Sequence, residues 1–178
     1  FQAEDGIRDS SVNGVQTWLF RSGGGLIQYG VVPRTVTGLR GILFAPFLHG
    51  SLEHIAANTI PFLVLGWLVL VRDARHFISV TLAAMLGAGL MSWLLGASSS
   101  VHIGASGVIF GYLGFLMLSG WFARSFGSNL LSLAITALWG GLVFGVLPGQ
   151  AGISWQAHLG GFLGGVLAAR SLARRRLW

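Results

Sequence analysis

Two short motifs carry the side chains best suited to chemistry, Gly104-Ala105-Ser106-Gly107 and Ala157-His158-Leu159-Gly160-Gly161, and each stands at the mouth of an apolar segment. A serine and a histidine entering a membrane from the same side are the parts of a hydrolase that works within the bilayer. The serine would act as nucleophile and the imidazole as its base, which requires a hydrogen bond of about 2.6–3.2 Å between them. Upstream, His54 and Asn58 are spaced i, i+4, so a helix beginning near Leu52 puts both on one face, one turn apart. Ser106 is expected in the first turn of its helix, where unpaired backbone N–H groups and the positive helix end favour a developing negative charge. Three helix entrances would then offer a nucleophile, a base and two hydrogen-bond donors at comparable depth.

Composition dictates the elements that must position these groups. With 53% hydrophobic residues, 9% charged residues and a mean hydropathy of +0.74, the chain is too apolar for an ordinary soluble domain. It reads as an all-α, polytopic membrane helical bundle, and its 178 residues suffice for one such domain. Five spans are expected, about Leu52–Val71, His76–Gly96, Ala105–Ala123, Ser128–Leu147 and Trp155–Ala173, each close to the roughly 20 residues needed to cross the hydrocarbon core. Polar residues inside such spans are costly and tend to face the bundle interior. Gly107, Gly111 and Gly114 on the third span, with Gly161 and Gly165 on the fifth, have the spacing that lets two membrane helices pack backbone to backbone.

Charge sets orientation and partners. All eleven basic residues are Arg, and four of them, Arg170, Arg174, Arg175 and Arg176, crowd the C-terminus behind an apolar segment. This is a membrane-flanking pattern with anionic headgroups of the lipid bilayer as partner, and it argues against nucleic acid as the reason for the net charge of +6. One side of the membrane receives seven arginines (Arg72, Arg75, Arg124, Arg170 and Arg174 to Arg176), the other three (Arg21, Arg34 and Arg40). The C-terminus is therefore expected in the cytoplasm, with His54, Ser106 and His158 toward the exterior face. The absence of cysteine excludes disulfides and thiolate metal sites. Residues 1–17 are polar, hold three of the five acidic residues and resemble translated sequencing-adapter DNA rather than a signal peptide, so they are expected to be an artefactual or disordered tail. Trp18-Leu19-Phe20 would be the stump of a further span, within a membrane domain taken as 18–178.

The pattern His49-Gly50-Ser51-Leu52-Glu53-His54-Ile55-Ala56-Ala57-Asn58, then Gly104-Ala105-Ser106-Gly107, then His158-Leu159-Gly160-Gly161 with Gly165, resembles the rhomboid family of intramembrane serine proteases. The resemblance implies five complete helices of a six-helix core, hydrolysis of peptide bonds in or near transmembrane segments of membrane-protein substrates, and no metal or organic cofactor. It implies Ser106 as nucleophile and His158 as base in a dyad without a carboxylate. His54 and Asn58 would stabilise the oxyanion with the Ser106 N–H, and His49, Gly104, Gly161 and Gly165 would support them. Phe110 stands where many bacterial members carry a tyrosine stacked on the catalytic histidine, so an aromatic face is kept and a hydroxyl lost. The Trp-Arg pair of the family's first loop has at best Leu39-Arg40 as its counterpart. A bacterial inner membrane is the implied location. Two other readings remain at this point: a catalytically silent relative that binds membrane clients, and a haem or metal protein using His54, His102 and His158. For His102 no catalytic role is expected.

Overall fold

The computed structural model describes residues 26–150 and 152–175. The polar tail and the Trp18-Leu19-Phe20 stump lie outside the described residues. Five long helices follow one another: α1 (Leu52–Leu70), α2 (Ala74–Leu95), α3 (Ser106–Ala123), α4 (Phe126–Trp139) and α5 (Trp155–Arg175). A loop of short helical turns, from Ile27–Tyr29 to Ala45–Phe47, precedes α1, and the described residues contain no strand beyond one isolated bridge between Val31 and His102.

Side-chain caps mark most of the helix starts. Ser51 accepts the His54 N–H at 3.1 Å to open α1, and Asp73 accepts that of Arg75 at 2.8 Å to open α2. Ser125 takes the Ser128 N–H at 3.2 Å before α4, and Ser154 that of Ala157 at 3.3 Å before α5. Each bond satisfies one of the donors that a helix start leaves orphaned. Only α3 among the five begins without one, because Ala105 stands at its cap position.

Among the described residues, four segments are long and apolar enough to cross a membrane: α1, α2, α3 and the stretch Phe126–Val146. The last of these departs from the continuous fourth span expected from hydropathy, since the α-helix stops at Trp139 and Gly140–Val146 winds on as a 3-10 helix. The glycines at 140 and 141 weaken α-helical continuation there. The fifth expected span does form a helix, α5, but Gln156, His158, four glycines and Arg170 keep it below the apolarity of the others. Its polarity is tolerable because it lies between α2 and α3, sheltered from the lipid along two of its faces.

Glycines make that central position possible. A methyl group on Gly161 would collide with the Gly107 carbonyl, and one on Gly165 with the Gly111 carbonyl, so α5 and α3 touch backbone to backbone. On its other side α5 meets α2 in the same way: side chains at Gly160 and Gly164 would strike the carbonyls of Gly87 and Ala83. Around this seam α3 is buried over most of its circumference, with Val108, Ile109, Tyr112, Leu113, Phe115 and Leu116 in the core. At the end away from Ser106, Arg72 donates to Ser119 Oγ at 2.9 Å and Ser128 Oγ at 2.7 Å, joining α1, α3 and α4. The outer faces of α1, α2 and α4 expose Leu63, Trp67, Leu82, Leu94, Leu133 and Leu138, the apolar surface a bilayer would cover.

Because the seam has no spare volume, Gly161→Val is expected to lower stability by at least about 1–3 kcal/mol, the usual cost of overpacking. Gly127→Ala, at a helical position with open space around it, should be neutral or stabilise by up to about 1 kcal/mol. Reversible unfolding in mixed detergent micelles measures both.

Candidate active site

The loop before α3 turns through Gly104, whose φ of +113° is open to glycine but strained for other residues. The Gly104 N–H donates to the Ala45 carbonyl at 2.8 Å, which pins this turn to the leading loop. A Cβ on Gly104 would lie 2.6 Å from His54 Nε2 and 3.9 Å from Asn58 Nδ2. The missing side chain is therefore what lets His54 of α1 reach over the start of α3, while Asn58 stands at ordinary contact distance behind it. Asn58 is buried, and its Nδ2 has no hydrogen-bond partner. Such a donor costs roughly 1–3 kcal/mol when left unpaired. His49 packs edge-on against His54, with ring centroids 5.0 Å apart, and burial together with the neighbouring His54 holds His49 below the usual histidine range.

His158, in the first turn of α5, is buried and held on two sides. Its ring stacks on Phe110 at 4.0 Å between centroids and 10° between planes. Its Nδ1 lies 2.9 Å from the Gly145 carbonyl oxygen. A carbonyl only accepts, so Nδ1 must carry a proton, and in the neutral ring Nε2 is left with a free lone pair. Gly145 has to be small for this arrangement, since a Cβ there would meet Phe110 Cζ at 2.9 Å and His158 Nδ1 at 3.2 Å. Sequence reasoning missed Gly145; the only signal was a glycine in an apolar run just ahead of Pro148-Gly149.

Ser106, His158, His54, Asn58, Phe110 and Gly145 line one open cavity of about 920 Å³. Gly161 and Gly165 hold the two helices together below it. No hydrogen bond joins Ser106 to His158 in this structure; the two residues are gathered by the cavity they share and by the glycine contact beneath. The leading loop is anchored by residues other than the Leu39-Arg40 pair. Arg34 donates to the carbonyls of Leu94 at 3.0 Å and Gly96 at 2.8 Å and to Ser98 Oγ at 2.6 Å, which satisfies the C-terminal end of α2. Trp93 Nε1 returns a bond to the Thr35 carbonyl at 2.8 Å. Arg40 instead lies over the Tyr29 ring at 4.4 Å.

A helical bundle with apolar outer faces and a polar cavity at the entrances of α1, α3 and α5 defines an integral membrane protein with a site at one end of the bundle. The chain belongs to the rhomboid family: the Rhomboid domain matches residues 36–175. An uncharacterized protein of Mycobacterium tuberculosis is 41% identical over 160 residues, covering 85% of this chain and 67% of that protein. Rhomboid protease GluP of Bacillus subtilis is 34% identical over 131 residues, 70% of this chain and 24% of its own length. RHOMBOID-like protein 4 of Arabidopsis thaliana is 30% identical over 146 residues, 76% of this chain and 35% of its own. No solved structure matches the chain significantly.

The tautomer of His158 is directly measurable. With ¹⁵N-labelled histidine, NMR at neutral pH should give a pyrrole-type Nδ1 and a pyridine-type Nε2 for this residue; the reverse pattern would mean that the Gly145 contact does not set the ring's proton.

Proposed function

We propose that this chain is a serine endopeptidase that cuts peptide bonds in or near transmembrane segments of other membrane proteins, with Ser106 as nucleophile and His158 as general base. The observation that carries the reading is the state of His158. Its Nδ1–H is committed to the Gly145 carbonyl and its ring is clamped on Phe110, while it lines the same cavity as Ser106. A neutral imidazole with a free Nε2 is the form able to take a proton from a serine hydroxyl. The carbonyl of Gly145 orients the ring as a carboxylate does in a three-residue triad.

In the reaction Ser106 Oγ attacks the scissile carbonyl carbon and its proton passes to His158 Nε2. The substrate oxygen becomes an oxyanion beside the start of α3, within range of the Ser106 N–H and of the donors Asn58 Nδ2 and His54. The unpaired Asn58 amide and the uncapped helix start support this assignment, since both are donors already in place with nothing to bind. His158 then protonates the leaving amine, and water drawn through the cavity, activated by His158, hydrolyses the acyl-enzyme. A substrate helix must unwind locally before its carbonyl is free to enter, so helix-weakening residues near the cut are the expected preference. The relative GluP of Bacillus subtilis is a rhomboid protease, which agrees with this activity. Mycobacterial relatives and the arginine distribution support a bacterial inner membrane, the cavity toward the exterior and the C-terminus toward the cytoplasm.

The reading of a silent client-binding relative is disfavoured by the presence of both Ser106 and His158. A haem or metal role for His54, His102 and His158 together is disfavoured by geometry: both His102 nitrogens are taken by serine hydroxyls.

A fluorophosphonate probe should label the protein in detergent, and Ser106→Ala should abolish the labelling. Labelling that survives Ser106→Ala, or proceeds unchanged in His158→Ala, would overturn the assignment. Asn58→Ala should slow substrate cleavage by about 10²–10³, the usual effect of removing one oxyanion donor. The same change should leave thermal stability undiminished, because Asn58 Nδ2 makes no hydrogen bond in the resting protein.

A further inference from the structure

His102 lies four residues before Ser106 and lines the cavity, yet the proposed chemistry does not use it. Its two ring nitrogens bind two serines from different parts of the chain, Nε2 to Ser100 Oγ at 2.9 Å and Nδ1 to Ser154 Oγ at 2.6 Å. The direction of every bond in this chain follows from its ends. Ser100 Oγ is 2.7 Å from the Ala97 carbonyl, to which it must donate, so it accepts from an Nε2–H of His102. His102 Nδ1 is then an acceptor, and Ser154 donates its hydroxyl proton to it. Ser154 Oγ in turn accepts the N–H of Ala157, and the Ser154 carbonyl accepts the N–H of His158 at 3.1 Å. The backbone of His102 is fixed as well, exchanging bonds of 3.0 and 2.9 Å with Val31 of the leading loop. Burial holds the imidazole below the ordinary histidine range, in keeping with a neutral ring whose Nδ1 is free to accept.

We propose that His102 is a positioning residue, a strut that ties the loop carrying Ser106 to the cap of the helix carrying His158 and so fixes the nucleophile relative to the base. The glycine seam sets how close α3 and α5 lie, but smooth backbone surfaces leave sliding along the helix axis weakly opposed. The His102–Ser154 bond opposes it, because it joins a residue just before Ser106 to the residue whose hydroxyl and carbonyl cap the turn containing His158. Misplacement of a base by about 1 Å is enough to lower a rate severely. The Ser154 arm is the one that reaches α5; the Ser100 arm only closes the local loop.

This inference rests on the dyad proposed above, and the two separate experimentally. Asn at position 102 can offer Oδ1 where His offers Nδ1, keeping the Ser154 arm, whereas Gln reaches the Nε2 position and keeps the Ser100 arm. With the chain in detergent and fluorophosphonate at saturation, Ser154→Ala and His102→Gln should each slow phosphonylation of Ser106 at least about tenfold, and the pair together no further than Ser154→Ala alone, since the strut is the interaction the two share. His102→Asn should stay within about twofold of the unsubstituted chain, and Ser154→Thr, which keeps the hydroxyl, should label at the normal rate. A His102→Asn rate as low as that of His102→Gln, a full rate in Ser154→Ala, or additive losses would overturn the strut. Absence of Ser106-dependent labelling in the unsubstituted chain would sink the dyad instead. The strut is then read by hydrogen exchange at the Ala157 amide, which should quicken in His102→Gln but not in His102→Asn; equal exchange in the two variants would overturn it.

Discussion

The contact between the backbones of α5 and α3 decides the geometry of everything above it. Gly161 and Gly165 present bare Cα atoms to the carbonyls of Gly107 and Gly111, and no side chain separates the two helices. In lipid there is little hydrophobic drive to bring helices together, so close van der Waals packing along such a seam is a principal source of association. Ser106 stands immediately before Gly107 of this seam and His158 about one turn before Gly161, both at the first turns of their helices. The second seam, from Gly160 and Gly164 to Gly87 and Ala83, places α2 behind α5 and makes α5 the central element. That explains why the least apolar of the five helices occupies the middle of the bundle: its polar side chains are spared the lipid, and its glycines are needed there.

Within this frame the electrostatics of the site are modest. No acidic side chain lies in the last three helices, so on the proposed mechanism the base has no carboxylate from them to lean on. The Gly145 carbonyl and the Phe110 face serve instead, one fixing the tautomer and the other the plane of the ring. Both are neutral and demand little desolvation, which suits a site sunk in an apolar bundle. The second histidine network, through His102, is likewise built of neutral groups whose donors and acceptors are all matched.

Much of this was readable from the residues. Long apolar runs separated by Arg, Ser, Gly and Pro gave helix positions within a few residues, because length and hydropathy dominate the fold of a membrane chain. The i, i+4 pair His54 and Asn58 and the glycine spacing on α3 and α5 were equally plain, as helical periodicity alone places them on faces. The 3-10 winding after Trp139 was not, since a hydropathy scan does not distinguish an α-helix from a tighter one of the same composition. Gly145 and Ser154 were missed for a different reason. Their parts are played by a backbone carbonyl and a capping hydroxyl, whose partners lie 13 and 52 residues away in the chain. Arg34 took over the anchoring of the leading loop, a role that no periodicity encodes because it depends on where the end of α2 stops.

One omission at the start of α3 has a further meaning. Four helices spend a serine or aspartate on their first turn, and the fifth, with Ala105 in that place, forgoes a stabilisation of about 0.5–2 kcal/mol. On the proposed mechanism the tetrahedral adduct supplies the oxygen that the chain withholds, so the reaction itself completes the helix. On that mechanism the start of α3 gains its missing acceptor only while the adduct is in place. On the same mechanism, what would be a fault in any of the other helices favours the transient adduct over the substrate that precedes it.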